Sequence, residues 1–443
     1  MCGIVGYAGP RAATAIVLAG LKRLEYRGYD SAGIATIQDG RLVIRRDEGK
    51  LSNLEHLLAE QPINGHTAIG HTRWATHGAP SQRNAHPHVD CSGDIAVIQN
   101  GIVENFLSLR EELQAEGHTF ASETDTEVIV HLVEKYVAQG CSLAEAGRHA
   151  FAQLKGAHAI VLLSRREPGT LVAVRLGNAG GVTIGLGRGE TFLASDLPAI
   201  LEHTRRMIFL EDREMAVITA EGPRFLTLDG QPVEKPVTEI AWDPVSAAKG
   251  TYRHFMQKEI YEQAGSITDA LRGQIDFESG AVTLGGLNLP AEAARSLREI
   301  VTVACGTSAY AGLVGKFMIE ALARVPVEVD YGSEFRYRDP IVDGDTLALA
   351  ITQSGETVDT LAAMEEARRK GARLVSIVNV VGSMAQRVSD GTIMMQAGPE
   401  IGVASTKAFT ASLVAQLLLG MYLGQVRGTL PAHESRALAQ ALA

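Results

Sequence analysis

The chain has 443 residues, is 46% hydrophobic and carries a net charge of −10, with no block of like charges. That length predicts about two to four domains, and the dispersed acidic balance disfavours nucleic acid and anionic membranes as partners. The four cysteines, Cys2, Cys91, Cys141 and Cys305, form no CxxC pair, so neither a zinc ribbon nor a disulfide framework is expected; a reducing cytoplasm fits.

In chain order, residues 1–240 read as one domain. Alternating strand patterns recur at Gly3–Tyr7, Gly33–Ile37, Leu42–Arg46, Thr67–His71, Ile95–Ile98, His158–Ser164, Leu171–Arg175 and Glu214–Thr219. Helical patterns fall at Ala12–Leu24, Phe106–Glu116, Thr124–Gln139 and Ser142–Leu154. Strands grouped before and after helices predict stacked sheets under helical layers. Gly222-Pro223, Pro236 and Pro244 punctuate the end. Residues 241–290 read as a connector, helical over Tyr252–Leu271.

Residues 291–430 change rhythm. Strands at Ile300–Ala304, Thr346–Ile351, Arg373–Val378 and Thr392–Gln396 alternate with helices at Ala309–Ala323, Val358–Lys370 and from Thr406. Such repetition predicts a parallel sheet that binds ligands at the carboxyl ends of its strands. The apolar run Ala408–Leu423 is shorter than the roughly 20 residues a membrane span needs, and reads as a buried or subunit-interface helix. Residues 431–443 start a helix with no closing signal.

Chemistry begins at Met1-Cys2-Gly3. Excision of Met1, expected before a small side chain, leaves a cysteine whose α-amine titrates at about 7.7–8.0 against about 8.5 for a free thiol. The residue then carries a nucleophile and its own base. His71-Thr72-Arg73-Trp74-Ala75-Thr76-His77-Gly78 follows a strand. Arg73 there could grip a carboxylate through two parallel bonds, or the run could be a surface turn anchored by Trp74. Asn100-Gly101 is first a turn signal; functionally it offers an amide and a backbone N–H to one developing negative charge. Asp125 is first a capping residue, through Ser122 and Asp125 or Thr124 and Glu127; functionally it could receive an ammonium.

Together these parts suit hydrolysis of the side-chain amide of a free amino acid. With Glu25-Tyr26-Arg27-Gly28-Tyr29-Asp30-Ser31-Ala32-Gly33 and Ser122–Glu127, the chain resembles the glutamine:fructose-6-phosphate aminotransferase family from Cys2 to about residue 430. The resemblance implies an α+β N-terminal-nucleophile glutaminase domain of stacked sheets, followed by an α/β parallel-sheet sugar-isomerase (SIS) domain. It implies that Cys2 attacks glutamine and that Asn100 and Gly101 form the oxyanion hole. Arg73 and Asp125 hold the α-carboxylate and α-ammonium, with Thr76 and His77 beside them. Trp74 gates the ammonia path, and Arg27 lies near the nucleophile. Gln99 departs from the family, where His commonly precedes the Asn-Gly pair.

In the second half, Cys305-Gly306-Thr307-Ser308 and Thr352-Gln353-Ser354-Gly355-Glu356-Thr357 each join a strand end to a helix start. Hydroxyls and unsatisfied amides there favour phosphate over simple capping. These turns resemble a SIS domain, and the resemblance to the aminotransferase family continues through Tyr252–His254, Met256–Gln263, Ser333–Arg338 and Gly402–Lys407. By that resemblance Thr307, Gln353, Ser354 and Thr357 bind the phosphate of fructose 6-phosphate, Thr352 standing where Ser is usual. Val403 and Ser405 line the sugar, and Cys305 is a packed neighbour. The implied reaction converts glutamine and fructose 6-phosphate into glutamate and glucosamine 6-phosphate. No metal or organic cofactor is expected, and the enzyme is expected to be a cytoplasmic homodimer. The reading also holds that the chain lacks a second, C-terminal SIS domain and is competent only as a glutaminase; the alternatives are another class II amidotransferase or a non-catalytic sugar-phosphate-binding module.

Overall fold

The computed structural model describes residues 2–25, 28–240 and 249–443. The chain forms two compact units, Met1–Ala241 and Trp242–Ala443. Tyr26 and Arg27 lie outside the described residues, and so does the role expected of Arg27.

In the first unit, Gly3–Ala8 pairs antiparallel with Thr67–Arg73 on one side and Thr191–Ala194 on the other, inside an eight-stranded sheet. Ile95–Gly101 pairs with His158–Ser164 inside a seven-stranded sheet. The two-residue period of the strands decides the layering. Ala96 and Ile98 join Ile4, Ile69, Ala159 and Val161 in the core between the sheets. Ile95 and Val97 point the other way, onto Val128, Ile129 and Leu132 of the helix Glu127–Ala138. On the outer face of the larger sheet, Val17 and Leu21 of the helix Ala13–Leu24 close over Gly70. The result is helix, sheet, sheet, helix, an N-terminal-nucleophile arrangement.

Several elements differ from expectation. Leu51–Glu60 is a helix that buries Leu51, Leu54 and Leu58, a spacing of three and four. Thr183–Leu186, Thr191–Ala194 and Arg206–Phe209 are short strands. Gly222-Pro223 opens the strand Gly222–Thr227, paired with Glu214–Thr219, rather than ending the sheet. Asn100 and Gly101 end a strand, in register with Ala159 and His158, and make no turn.

The second unit carries five parallel strands, one more than expected. Their spatial order is Val327–Tyr331, Glu299–Ala304, Thr346–Thr352, Arg373–Val378 and Gly391–Met394. The chain leaves its first strand toward one edge and returns to build toward the other. The crevice where the order reverses lies between the carboxyl ends of Glu299–Ala304 and Thr346–Thr352. Residues 270–289, part of the stretch read as a connector, supply Ala270, Leu271, Val282, Leu284, Leu287 and Leu289 to this unit's core. The apolar helix runs Lys407–Arg427, 21 residues with mean hydropathy 1.4, so it is long enough to cross a membrane; yet 61% of its apolar window is buried within the unit. Its Gln416 donates to the Ala311 carbonyl at 3.0 Å. It is a core helix.

Candidate functional site

The strand register brings the first-domain candidates together. Cys2 precedes the central strand of the larger sheet, and Arg73 ends the strand beside it, with Gly3 opposite Thr72. Asn100 and Gly101 end a strand of the other sheet. Cys2, Arg73, Trp74, Thr76, Gly101 and Asp125 line one cleft.

The Cys2 sulfur accepts the Trp74 N–H at 3.2 Å. Burial pushes the thiol pKa up, and that N–H opposes the rise. Asn100 donates from Nδ2 to the Cys2 carbonyl at 3.1 Å, while its Oδ1 faces His71 Nε2 at 3.1 Å. Burial lowers His71 to about 4. The ring is therefore neutral near pH 7 and fixes the Asn100 amide with its N–H groups toward Cys2. At Gly101, φ is +114° and an added Cβ would lie 2.0 Å from the Ala157 carbonyl oxygen. Only glycine fits there.

Arg73 is 4% exposed. Its Nη2 donates to the carbonyls of His77 and Gly78, which curls the turn around the guanidinium. Nη1 is buried with no hydrogen-bond partner among the described residues. A buried charged donor without an acceptor is costly, and this one borders the cleft that holds Cys2. Asp125 does not cap the helix. Its Oδ2 accepts the Val103 N–H at 2.7 Å, and its Oδ1 lies 3.9 Å from His77 Nδ1, which has no hydrogen-bond partner among the described residues. Burial raises the Asp125 pKa. The local carboxylate–hydroxyl pair is instead Glu127 with Ser122, at 2.6 Å. Trp74 is half exposed, with its ring edge-on to Tyr29 at 5.2 Å. Gln99, which also lines the cleft, bonds Thr126 and His158 at 2.5 and 2.9 Å.

Sequence reasoning missed two supports. Asp30 accepts the Ala75 N–H and holds the turn that carries Trp74. A Cβ on Gly28 would lie 2.7 Å from the Arg73 backbone, so glycine lets that segment pass beneath. Both residues belong to the Glu25–Gly33 stretch, whose role was not legible without the fold.

In the second unit, Thr307 opens the helix Thr307–Ala323, and Thr357 is the N-cap of Val358–Arg369 with no side-chain capping bond. The two helix starts face the crevice between the first and third strands of the unit. The Thr352 hydroxyl accepts the Gly355 N–H at 3.2 Å and lies 3.3 Å from the Thr357 hydroxyl. Gln353 and Ser354 complete the turn, half-buried. Cys305 lies outside this ring of hydroxyls, 3.6 Å from the Thr360 hydroxyl. Val403 and Ser405 are not drawn into this cluster. They follow the edge strand Gly391–Met394, where Val403 is 80% exposed and Ser405 donates to buried Glu400 at 3.0 Å.

Fold and site define a glutamine amidotransferase domain joined to a SIS domain. Family descriptions agree: "Glutamine amidotransferase domain" matches residues 55–224 and "SIS domain" residues 295–422. The isomerizing glutamine–fructose-6-phosphate aminotransferase of Symbiobacterium thermophilum is 50% identical over 442 residues, covering 100% of this chain and 72% of the relative. One from Thermus thermophilus is 50% identical over 438 residues, covering 99% and 71%. Among solved structures, the C-terminal domain of glucosamine-fructose-6-phosphate aminotransferase from Francisella tularensis is 37% identical, with a TM-score of 0.42 over 44% of this chain and 54% of that one. The chain belongs to the glutamine–fructose-6-phosphate aminotransferase family.

The SIS domain expected over residues 291–430 is matched at residues 295–422. The chain was also read as lacking a second SIS domain and as competent only as a glutaminase; with both an amidotransferase and a SIS domain present, that restriction is not supported.

Proposed function

We propose that this chain carries out the glutamine-dependent amination and isomerisation of fructose 6-phosphate to glucosamine 6-phosphate, with release of glutamate. One observation carries the reading: Arg73, which lines the cleft with Cys2, has a buried Nη1 without a hydrogen-bond partner among the described residues. An amino-acid carboxylate is the partner that guanidinium lacks, and Asp125 across the cleft suits the ammonium.

After Met1 is removed, the Cys2 α-amine takes the thiol proton and the sulfur attacks the carboxamide carbon. The oxyanion accepts hydrogen bonds from Asn100 Nδ2 and the Gly101 N–H. The carbon–nitrogen bond breaks, and ammonia leaves with the proton the amine had taken. Water then cleaves the thioester, releasing glutamate and restoring the thiol. Ammonia condenses with the ketose carbonyl and expels water. We assign Trp74 as the ammonia gate, with Thr76 and His77 flanking the glutamine. Thr307, Thr352, Gln353, Ser354 and Thr357 take the phosphate, and Val403 and Ser405 the sugar. The cleft as it stands measures about 20 Å³, room for about one water. Glutamine entry therefore requires the cleft to widen. We further propose a cytoplasmic homodimer, on four free cysteines and the family resemblance.

The test supplies glutamine and fructose 6-phosphate to the purified chain and measures both products. The parent should yield glutamate and glucosamine 6-phosphate, and Cys2→Ala should yield neither. A parent that releases no glutamate, or a Cys2→Ala chain that still does, would sink the proposal.

A further inference from the structure

Away from the cleft, four side chains from three segments converge on one point. Cys91 lies on the turn after the strand His88–Val89, His118 on the tail of the helix Phe106–Ala115, and His131 and Glu134 one turn apart on the helix Glu127–Ala138. Their potential ligand atoms all lie within 4.8 Å of one another. Cys91 Sγ is 3.8 Å from His118 Nδ1 and 3.6 Å from His131 Nδ1, and Glu134 Oε2 is 2.8 and 3.1 Å from the same two nitrogens. Zinc bonds of about 2.3 Å to sulfur and about 2.0–2.2 Å to nitrogen and oxygen place tetrahedral ligands roughly 3.3–3.6 Å apart. The 3.6 Å sulfur–nitrogen spacing matches and the 3.8 Å one is slightly long, while the carboxylate, at 2.8 and 3.1 Å from the two nitrogens, needs to withdraw by up to about half an ångström.

From this geometry we propose that Cys91, His118, His131 and Glu134 form a closed, tetrahedral structural zinc site. Thiolate, two imidazoles and a carboxylate are a donor set that favours zinc over magnesium or calcium.

The surroundings suit the role. The Thr119 N–H donates to Cys91 Sγ at 3.4 Å and supports a thiolate. The far nitrogen of His131 lies 3.7 Å from Glu127, whose carboxylate is locked by the N–H groups of Ala121 and Ser122 at 2.7 Å. At 3.7 Å the two do not yet hydrogen-bond, and His131 Nε2 has no partner among the described residues; a shift of a few tenths of an ångström would give the carboxylate–histidine support that orients metal-bound imidazoles. Cys91 is exposed, which gives an ion access from solvent. All four protein ligands are supplied, so no position is left for substrate; the ion would staple three segments behind Asp125 and Thr126. The linear sequence separates the ligands by up to 43 positions, and its one local signal is the His131-Leu132-Val133-Glu134 spacing on a helix.

The test uses the full chain, stripped with a chelator and then dialysed against zinc or cobalt(II). One zinc per chain should be retained, with a rise in the thermal midpoint. The cobalt form should show a thiolate-to-metal charge-transfer band that survives Cys2→Ala and vanishes in Cys91→Ser. His118→Asn, at a position whose side chain is 14% exposed, should lose at least tenfold in zinc affinity while keeping the far-ultraviolet spectrum of the parent. A chain that retains no zinc would overturn the proposal. So would a Cys91→Ser chain that keeps the ion and the band; the four side chains would then be a hydrogen-bonded network in which both imidazoles donate to Glu134.

Discussion

Replacing Arg73 with lysine separates the two tasks the structure gives this side chain. The guanidinium spends Nη2 on the His77 and Gly78 carbonyls and leaves Nη1 for a ligand. Lysine keeps the charge but has one nitrogen, so it cannot span both sets of acceptors. The loss is about one charge-assisted hydrogen bond to substrate, roughly 1.5–3 kcal/mol. At about 1.4 kcal/mol per tenfold, KM for glutamine should rise roughly 10- to 150-fold. Steady-state glutamate release measures this, with kcat falling much less. The decisive comparison is 4-aminobutanamide, which is glutamine without its α-carboxylate. Arg73→Lys should cost little on that substrate. Equal losses on both amides would refute the assignment and leave Arg73 as a brace for its loop.

Three other outcomes are expected. Gly101→Ala should cut glutamate release by about 10²-fold or more through loss of an oxyanion donor, and lower the thermal midpoint; Gly93→Ala, with a φ of +69° but nothing within 4 Å, should keep activity. Acidification should destabilise the amidotransferase unit early. Burial lowers His71 to about 4, His88 to about 3 and His158 to about 4. The unfolded chain therefore binds protons below about pH 6.5 that the folded chain refuses, and stability falls as pH drops from there toward 4, by on the order of 1–2 kcal/mol per histidine at pH 5. Glu127, lowered to about 2, adds a loss below 4.5. Urea midpoints at pH 7 and 5 check this, and a flat profile would contradict it. Ser354→Ala should weaken inorganic phosphate binding about tenfold by calorimetry, with glutaminase activity unchanged.

The sequence carried the long alternating strands and the amphipathic helices, because half-buried elements print their period. It did not carry Thr183–Leu186 or Thr191–Ala194, which are short and mostly buried on both faces. Val327–Tyr331 does alternate, but five residues after a proline gave too little pattern to separate an edge strand from a loop. In the site, residue types were legible and company was not. Cys2 and Arg73 meet through antiparallel register across 71 positions of chain. Asn100 is held by His71 only after two sheets have stacked, and the Trp74 turn by Asp30 only after two strands distant in sequence have paired, Ser31 opposite Arg73. The capping role read into Asp125 failed for the same reason: its acceptor was spent on Val103, a residue no local motif connects to it.

The most direct test of the account is mass spectrometry of active chain treated with the diazoketone analogue of glutamine. The account predicts a mature chain that begins at Cys2, labelled once on that sulfur, with labelling slowed in Arg73→Lys. Active material that retains Met1, or a label found on another cysteine, would contradict it.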